Sequence, residues 1–420
     1  MKVAANKIYL PLFVLILLVQ LYLPSFKACI LMQLAALGGI FIFGNVKLSG
    51  NFLDMLKPFL FLLLLGFVAT IFNSYAFYNI SKDIFHFIKP ITGLLLGYVI
   101  FRQVNNEKLF VKSIVVAGIL SSLIHLFIVF VIIGFSTAIE EIRLFTRDNF
   151  LDLFALFFLI YYKKFFKADM FKIKLIWWLA LALIIISVIL YFSRTMIILA
   201  FLLVVAIHGL TRITPVTVKL FAVFVVSLAL LFTYLSNANI RRDAKGLEGF
   251  LYKVKIAPEE MFKTRINRED HRDLWDHWRG YEANRAYMLM EEKPYSFVIG
   301  TGHGSLVNLK FNAPLTGESK GMRYISELHN GYMYIFYKTG IIGIMVYLSI
   351  MFWWYSYIYR KQTFINIIIS AIGLFYLISS LTITGIYNSR DIIIMILGAA
   401  LFFAESNLKK TNNIEPIQTT

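Results

Sequence analysis

The stretch 329–359 reads HNGYMYIFYKTGIIGIMVYLSIMFWWYSYIY, and it decides how the chain is built. From Gly340 to Tyr359 it is apolar and, at about 1.5 Å of rise per residue, long enough to cross the roughly 30 Å hydrocarbon layer of a bilayer. Arg360 and Lys361 close it at one end. Lys338 then falls near the opposite interface, and His329 stands about 13 Å above Lys338 if the helix continues upward. A His-Asn pair at the mouth of a transmembrane helix suggests chemistry at a membrane surface, where a neutral imidazole can take a proton from an alcohol near neutral pH. An ordinary helix-capping or interfacial histidine is the plainer alternative.

The rest of the chain repeats the apolar pattern. Of its 420 residues 59% are hydrophobic and only 15% charged, and mean hydropathy is positive, which lies outside the soluble globular range. Twelve runs are predicted to be transmembrane helices: 8–24, 28–44, 58–74, 85–101, 110–137, 150–162, 175–192, 195–211, 216–235, 331–358, 364–383 and 390–404. The fold class expected is an all-α integral membrane protein. The first run lacks a small-residue cleavage site and is followed at once by another, so it reads as a retained helix and not as a removed signal peptide. Cys29 is the single cysteine and sits in an apolar run, which excludes an intrachain disulfide and a cysteine-built metal site.

Lys and Arg in the connections set the orientation. With the N-terminus inside, eighteen fall in the inside segments, against six in the short outside connections: Lys27, Lys82, Arg143, Arg147, Arg194 and Arg390. This asymmetry puts both termini in the cytoplasm. Inside-positive loops meeting anionic lipid also account for the net charge of +17, with no nucleic acid needed.

Between residues 236 and 330 the hydropathy collapses, with 15 Lys/Arg and 13 Asp/Glu. The organisation is therefore nine helices in 1–235, a large outside loop in 236–330, three helices in 331–404 and a cytoplasmic tail in 405–420. Such a loop is too long for a connector and is expected to carry its own structure, mainly helical, and function. Residues 259–292 are predicted helical, Pro294 ends them, and Gly300-Thr301-Gly302-His303-Gly304 reads as a tight loop. Carboxylates and imidazoles cluster from Asp270 to His277 without a recognised metal spacing, so a solvated amphipathic helix is the better reading. The glycines lack the strand-then-helix setting of a dinucleotide loop, although their backbone amides can approach a phosphate or a sugar.

Arg194 is placed at an outer turn, on the same face as His329. A guanidinium so near hydrocarbon, with no acid adjacent in sequence, suits an anion such as a diphosphate, and snorkelling to lipid phosphates is the alternative. Arg143 and Arg147 fall on the same side, and Lys89-Pro90 interrupts the fourth helix. Together these cations ring one side of the bundle.

His329, Asn330, Gly340 and Gly343 also satisfy, without gaps, a signature of His, then Asn, Ser or Gln, nine residues, Gly, two residues, and Gly, Thr or Tyr. By it the chain resembles the O-antigen ligase and polymerase superfamily of bacterial envelope glycosyltransferases. Ser193-Arg194-Thr195 resembles the family's Ser-Arg pair, and Arg272 through Trp275 to Gly300-Thr301-Gly302 looks like the family's loop. The motifs cover roughly 143–350, and the first 140 residues resemble the family by helix pattern only. The resemblance implies a GT-C type enzyme of the bacterial inner membrane with its large loop in the periplasm. Its donor would be a glycan on undecaprenyl diphosphate, its acceptor a glycan or lipid, with no cofactor and no metal. A flippase and a chain-length regulator would be its neighbours. It further implies His329 as base for the acceptor hydroxyl and Arg194 as binder of the leaving diphosphate, with Arg147, Arg143 and Lys89 as auxiliaries. The loop offers Arg272, Arg279, Arg285 and Asn330 as further candidates, and no single arginine is singled out.

Within that reading stand a polymerase, which joins O-antigen, capsule or exopolysaccharide repeat units, and a ligase, which moves the glycan to lipid A-core or another acceptor. The polymerase is favoured because such enzymes are more numerous. A polysaccharide-lipid flippase is the competitor from another class, and it predicts polar residues at mid-bilayer and short outer loops. A peptidoglycan polymerase would want a catalytic acid in its large loop. No Asp-x-Asp pair lies in the first outer loop, so a metal-independent reaction with inversion at C1 is expected.

Overall fold

The computed structural model describes residues 2–412 apart from 24, 45, 135–147, 192, 243, 245, 264, 268 and 314–320. Each of the twelve apolar runs lies largely within a helix. They are α1 (Lys2–Tyr22), α2 (Phe26–Phe43), α3 (Gly50–Ile71), α4 (Phe77–Val104), α5 (Glu107–Phe127), α6 (Phe150–Phe166), α7 (Lys174–Leu190), α8 (Arg194–Ile207) and α9 (Pro215–Asn237). Among the later elements, α15 (Gly331–Tyr355), α16 (Phe364–Ser379) and α17 (Ile393–Asn412) complete the set. Among the described residues six helices are long and apolar enough to cross a membrane, α2, α3, α4, α5, α9 and α15, the fourth and sixth of these runs extending to Ile132 and Tyr359 where a π turn and a 3-10 turn continue α5 and α15.

The helices begin where short polar side chains can take up the unpaired backbone amides. Ser25, Ser49, Asn106, Asn149, Ser193 and Thr363 each accept from an amide of the first turn, and Thr214 with Thr217 forms a reciprocal cap on α9. These caps set the turns, including the short one between α7 and α8 at Ser193-Arg194. Side-chain packing then assembles the bundle around α4. Gly97 on α4 and Gly398 on α17 let two backbones touch: a Cβ on Gly97 would stand 2.0 Å from Met395 O, and one on Gly398 2.2 Å from Leu94 O. Small residues at helix crossings do this work where lipid removes the hydrophobic drive between helices. By contrast α9 turns nearly all of its apolar side chains outward, with Leu235 its one buried residue.

The segment between α9 and α15 folds as α10 (Gly246–Lys255), α11 (Ala257–Phe262), α12 (His271–Asp276), α13 (Trp278–Glu291) and α14 (Ser296–Ile299), then a hairpin of β1 (Val307–Ala313) and β2 (Met322–Ile325). One expectation needs correcting here, and one feature was not expected. The predicted helix 259–292 is broken, because the Asp273 carboxylate draws in Asn267 N at 2.6 Å and Lys263 Nζ at 2.5 Å, folding the chain back over the start of α12. The loop also carries strands. Val307, Leu309 and Ala313 are buried with Asn308, Lys310 and Asn312 between them, a two-residue alternation that marks a half-buried strand.

Candidate active site

Asn330 and His329 divide the labour at the head of α15. The Asn330 side chain accepts from Met333 N at 2.9 Å and so caps the helix. His329, one residue earlier, is left outside the helix with its side chain 47% exposed. It stands on the wall of a cavity of about 690 Å³ enclosed by α13, β2, the 383–390 turn and the start of α4. Behind the ring lies Glu282 of α13, buried. His329 Nδ1 is 2.9 Å from Glu282 Oε1, and the His329 backbone amide donates to Oε2 at 2.9 Å. The Trp278 indole N–H also donates to Oε1.

Cations reach the same cavity from several elements. Arg279 of α13 lines it, donates from Nε to Thr382 O at 2.9 Å, and pairs with Glu260. Glu260 is shared, since Arg194 Nη2 donates to its Oε2 at 2.9 Å while Nη1 reaches Lys253 O at 2.5 Å. Arg194 therefore sits one carboxylate behind the wall. Arg390, on the turn before α17, also lines the cavity. Lys89, buried in α4, donates to Asn388 O and lies 3.5 Å from Asp391 O, so it holds that turn from beneath. Arg285 faces elsewhere and donates to Asn308 O at 2.9 Å, tying α13 to β1. Arg143 and Arg147 lie outside the described residues, as does the Arg272 side chain.

Lys82 at the start of α4 adds a cation that sequence reasoning counted only toward topology. Its Nζ is 3.3 Å from Glu327 Oε1, and His86 Nε2 is 2.9 Å from the same oxygen. Burial pushes the Glu327 carboxyl up, but the His86 and Lys82 charges outweigh it and bring it down to about 2. Lys82 and Glu327 both line the cavity.

The glycines of the signature hold the scaffold under this wall. Gly340 has φ +66° and ψ −166°, a backbone state that only glycine adopts readily, and it breaks the hydrogen-bond ladder of α15. The carbonyls of Tyr337 and Lys338, one turn before it, accept instead from Thr301 N at 2.7 Å and Gly302 N at 3.1 Å. A side chain at Gly340 would also meet Val298 O at 2.2 Å, and one at Gly343 would meet the Thr339 side chain. The predicted tight loop is thus seated on α15, its Gly300, Gly302 and Gly304 all at positive φ. Burial holds His303 of that loop down to about 4, neutral against the Leu63 carbonyl.

One further pair is fully enclosed. Lys338 of α15 forms a salt bridge with Asp83 of α4, and also donates to Ser305 O at 2.8 Å. Asp83 Oδ2 accepts from Gly304 N at 2.7 Å and Oδ1 from Ser326 Oγ. The pair joins α4, the glycine loop, the hairpin and α15 in one network.

Sequence reasoning missed Glu282 and Glu327. Glu282 had a signal, its spacing four residues after Trp278 on a helix, which places both side chains on one face. Glu327 had none, because its partners come from α4.

An acid–base pair open to a hollow lined by Lys82, Arg279 and Arg390 together with the carboxylates of Asp148, Glu260 and Glu327, at one end of an apolar bundle, makes this a helical membrane protein with the equipment of an enzyme. Residues 179–348 match the family model described as O-antigen ligase, which supports the O-antigen ligase and polymerase superfamily that the signature resembles. No curated protein and no solved structure gives a match. The matched segment carries Arg194, Arg279, Glu282 and His329, while Lys82, Lys89 and Arg390 come from outside it.

Proposed function

We propose that this protein is a glycosyltransferase working on the periplasmic face of the bacterial inner membrane, and that it polymerises glycan repeat units carried on undecaprenyl diphosphate. The observation that carries this reading is His329, an exposed imidazole backed by a buried carboxylate and facing a cavity that also receives Arg279, Arg390 and Lys82. Transfer to a hydroxyl asks for those two things. His329 takes the proton as the acceptor oxygen bonds to the anomeric carbon, the bond from that carbon to the diphosphate oxygen breaks, and the electron pair leaves with the diphosphate. Fixed cations neutralise the charge that develops there. In this reading Arg279 meets the diphosphate from the wall, and Arg194 acts through the shared Glu260 or directly once that carboxylate gives way. Lys89 supports the turn that bears Arg390, and Arg143 and Arg147 remain auxiliaries. A single in-line displacement inverts C1, and the arginines do the work a metal would otherwise do.

Glycan chain length in cells tests this, with His329→Ala and Arg194→Ala expressed at the wild-type level. Loss of all polymer beyond one repeat is the expected result. Long polymer left unattached would make the enzyme a ligase, and unchanged glycan in both variants would overturn the enzymatic reading.

A further inference from the structure

We infer that Glu282 is the positioning residue that fixes the proton of the neutral His329 ring on Nδ1 and so leaves the Nε2 lone pair free toward the cavity. This rests on the proposed role of His329 as base. The case is made by counting donors around one buried carboxylate. Oε1 receives the Trp278 indole N–H, and Oε2 receives the His329 backbone N–H at 2.9 Å. Both of these groups can only donate, so both oxygens are committed as acceptors. His329 Nδ1 then lies 2.9 Å from Oε1 and 3.1 Å from Oε2, close enough to either that it must present a hydrogen to them. A lone pair at Nδ1 would face two acceptors in a site where Glu282 is 1% exposed.

The consequence is directional. A neutral imidazole carries one proton, so with Nδ1 occupied the base is Nε2, on the edge of the ring away from Glu282. When Nε2 takes the acceptor's proton, the imidazolium forms against a carboxylate already in place, with no reorganisation needed. Trp278 holds the carboxylate and helix α13 holds Trp278, so the ring is oriented by the same helix that delivers Arg279 to the cavity.

Glutamine at 282 supplies the discriminating variant. Its amide has one accepting and one donating end, so it sets an N–H against the indole N–H or against His329, and the ring escapes by moving its proton to Nε2. Glu282→Gln is expected to lower glycan formed per folded protein by about 100-fold or more, and Glu282→Asp, which keeps the carboxylate, to recover to within about tenfold of wild type. Nitrogen NMR of the purified full-length protein, labelled at histidine and assigned by difference with His329→Ala, reads the tautomer directly. The expected spectrum has His329 protonated at Nδ1 in the wild type and at Nε2 in Glu282→Gln. A wild-type proton on Nε2 overturns the inference even if no Glu282 variant folds. Normal glycan in a folded Glu282→Gln, with none in His329→Ala, also overturns it and leaves the base standing. Normal glycan in His329→Ala would instead remove the base itself.

Discussion

Two carboxylate–base pairs flank the first turns of α15, and they differ in what is left over once their bonds are made. Lys338 and Asp83 are both buried, and every bond they make is to groups that hold the fold: Ser305, Ser326 and Gly304. Glu282 is as buried as Asp83, but its partner His329 has only one ring edge engaged and the other exposed. Nine residues apart in the chain, at the head of α15 and within it, similar pairs serve as a rivet in one place and as an open hand in the other. A polar pair in an apolar bundle is thus not informative by itself, and the unspent valence on the exposed side is what separates chemistry from scaffold.

The comparison breaks most visibly at the rivet. Lys338→Met leaves Asp83 buried without its cation and is expected to cost about 3–5 kcal/mol, seen as a drop in thermal unfolding temperature in detergent and in folded yield. His329→Ala, on a half-exposed side chain, is expected to leave that temperature within a degree or two of wild type while glycan disappears. Equal destabilisation by the two would erase the distinction.

Gly340→Ala comes next. Its positive φ, together with a new Cβ pressed on the Val298 carbonyl, is expected to cost about 1–3 kcal/mol and to unseat the glycine loop, so stability and glycan fall together. Normal glycan in this variant would detach the signature glycines from the scaffold role given to them.

The smallest effect is a pH dependence. Glu327 has its folded value depressed to about 2, so its ion pairs stabilise the fold fully above the ordinary carboxylate value of 4.5 and lose that contribution as pH falls from there toward 2. Glu327→Gln is expected to flatten the unfolding temperature across that window relative to wild type. An unchanged slope would mean that the Lys82–Glu327–His86 group contributes nothing to stability.

Much of this was legible in the chain because membranes impose long apolar runs. Twelve such runs became helices, and the polar segment between α9 and α15 stood out against them. His329 was legible through its spacing to Gly340 and Gly343, although those glycines turn out to seat a loop and Asn330 to cap a helix. What could not be read were pairings across distance. Glu282 and His329 are 47 positions apart, and Lys82 meets Glu327 from a different helix. Arg194 was placed beside the site, but nothing in the sequence announced that Glu260 would stand between it and the cavity. The β-hairpin was the one local pattern passed over, since its alternation is short and lies next to a glycine-rich run.

Access to the cavity can be measured directly. The natural Cys29 is buried, so Met322→Cys, on β2 at the cavity wall, places one reachable thiol there. A membrane-impermeant maleimide added to intact spheroplasts is expected to label Met322→Cys from the outside and to stop glycan formation, while leaving glycan in labelled wild-type cells untouched. Labelling that proceeds only after the membrane is opened, or complete labelling with glycan formation intact, would contradict a transfer site in this cavity.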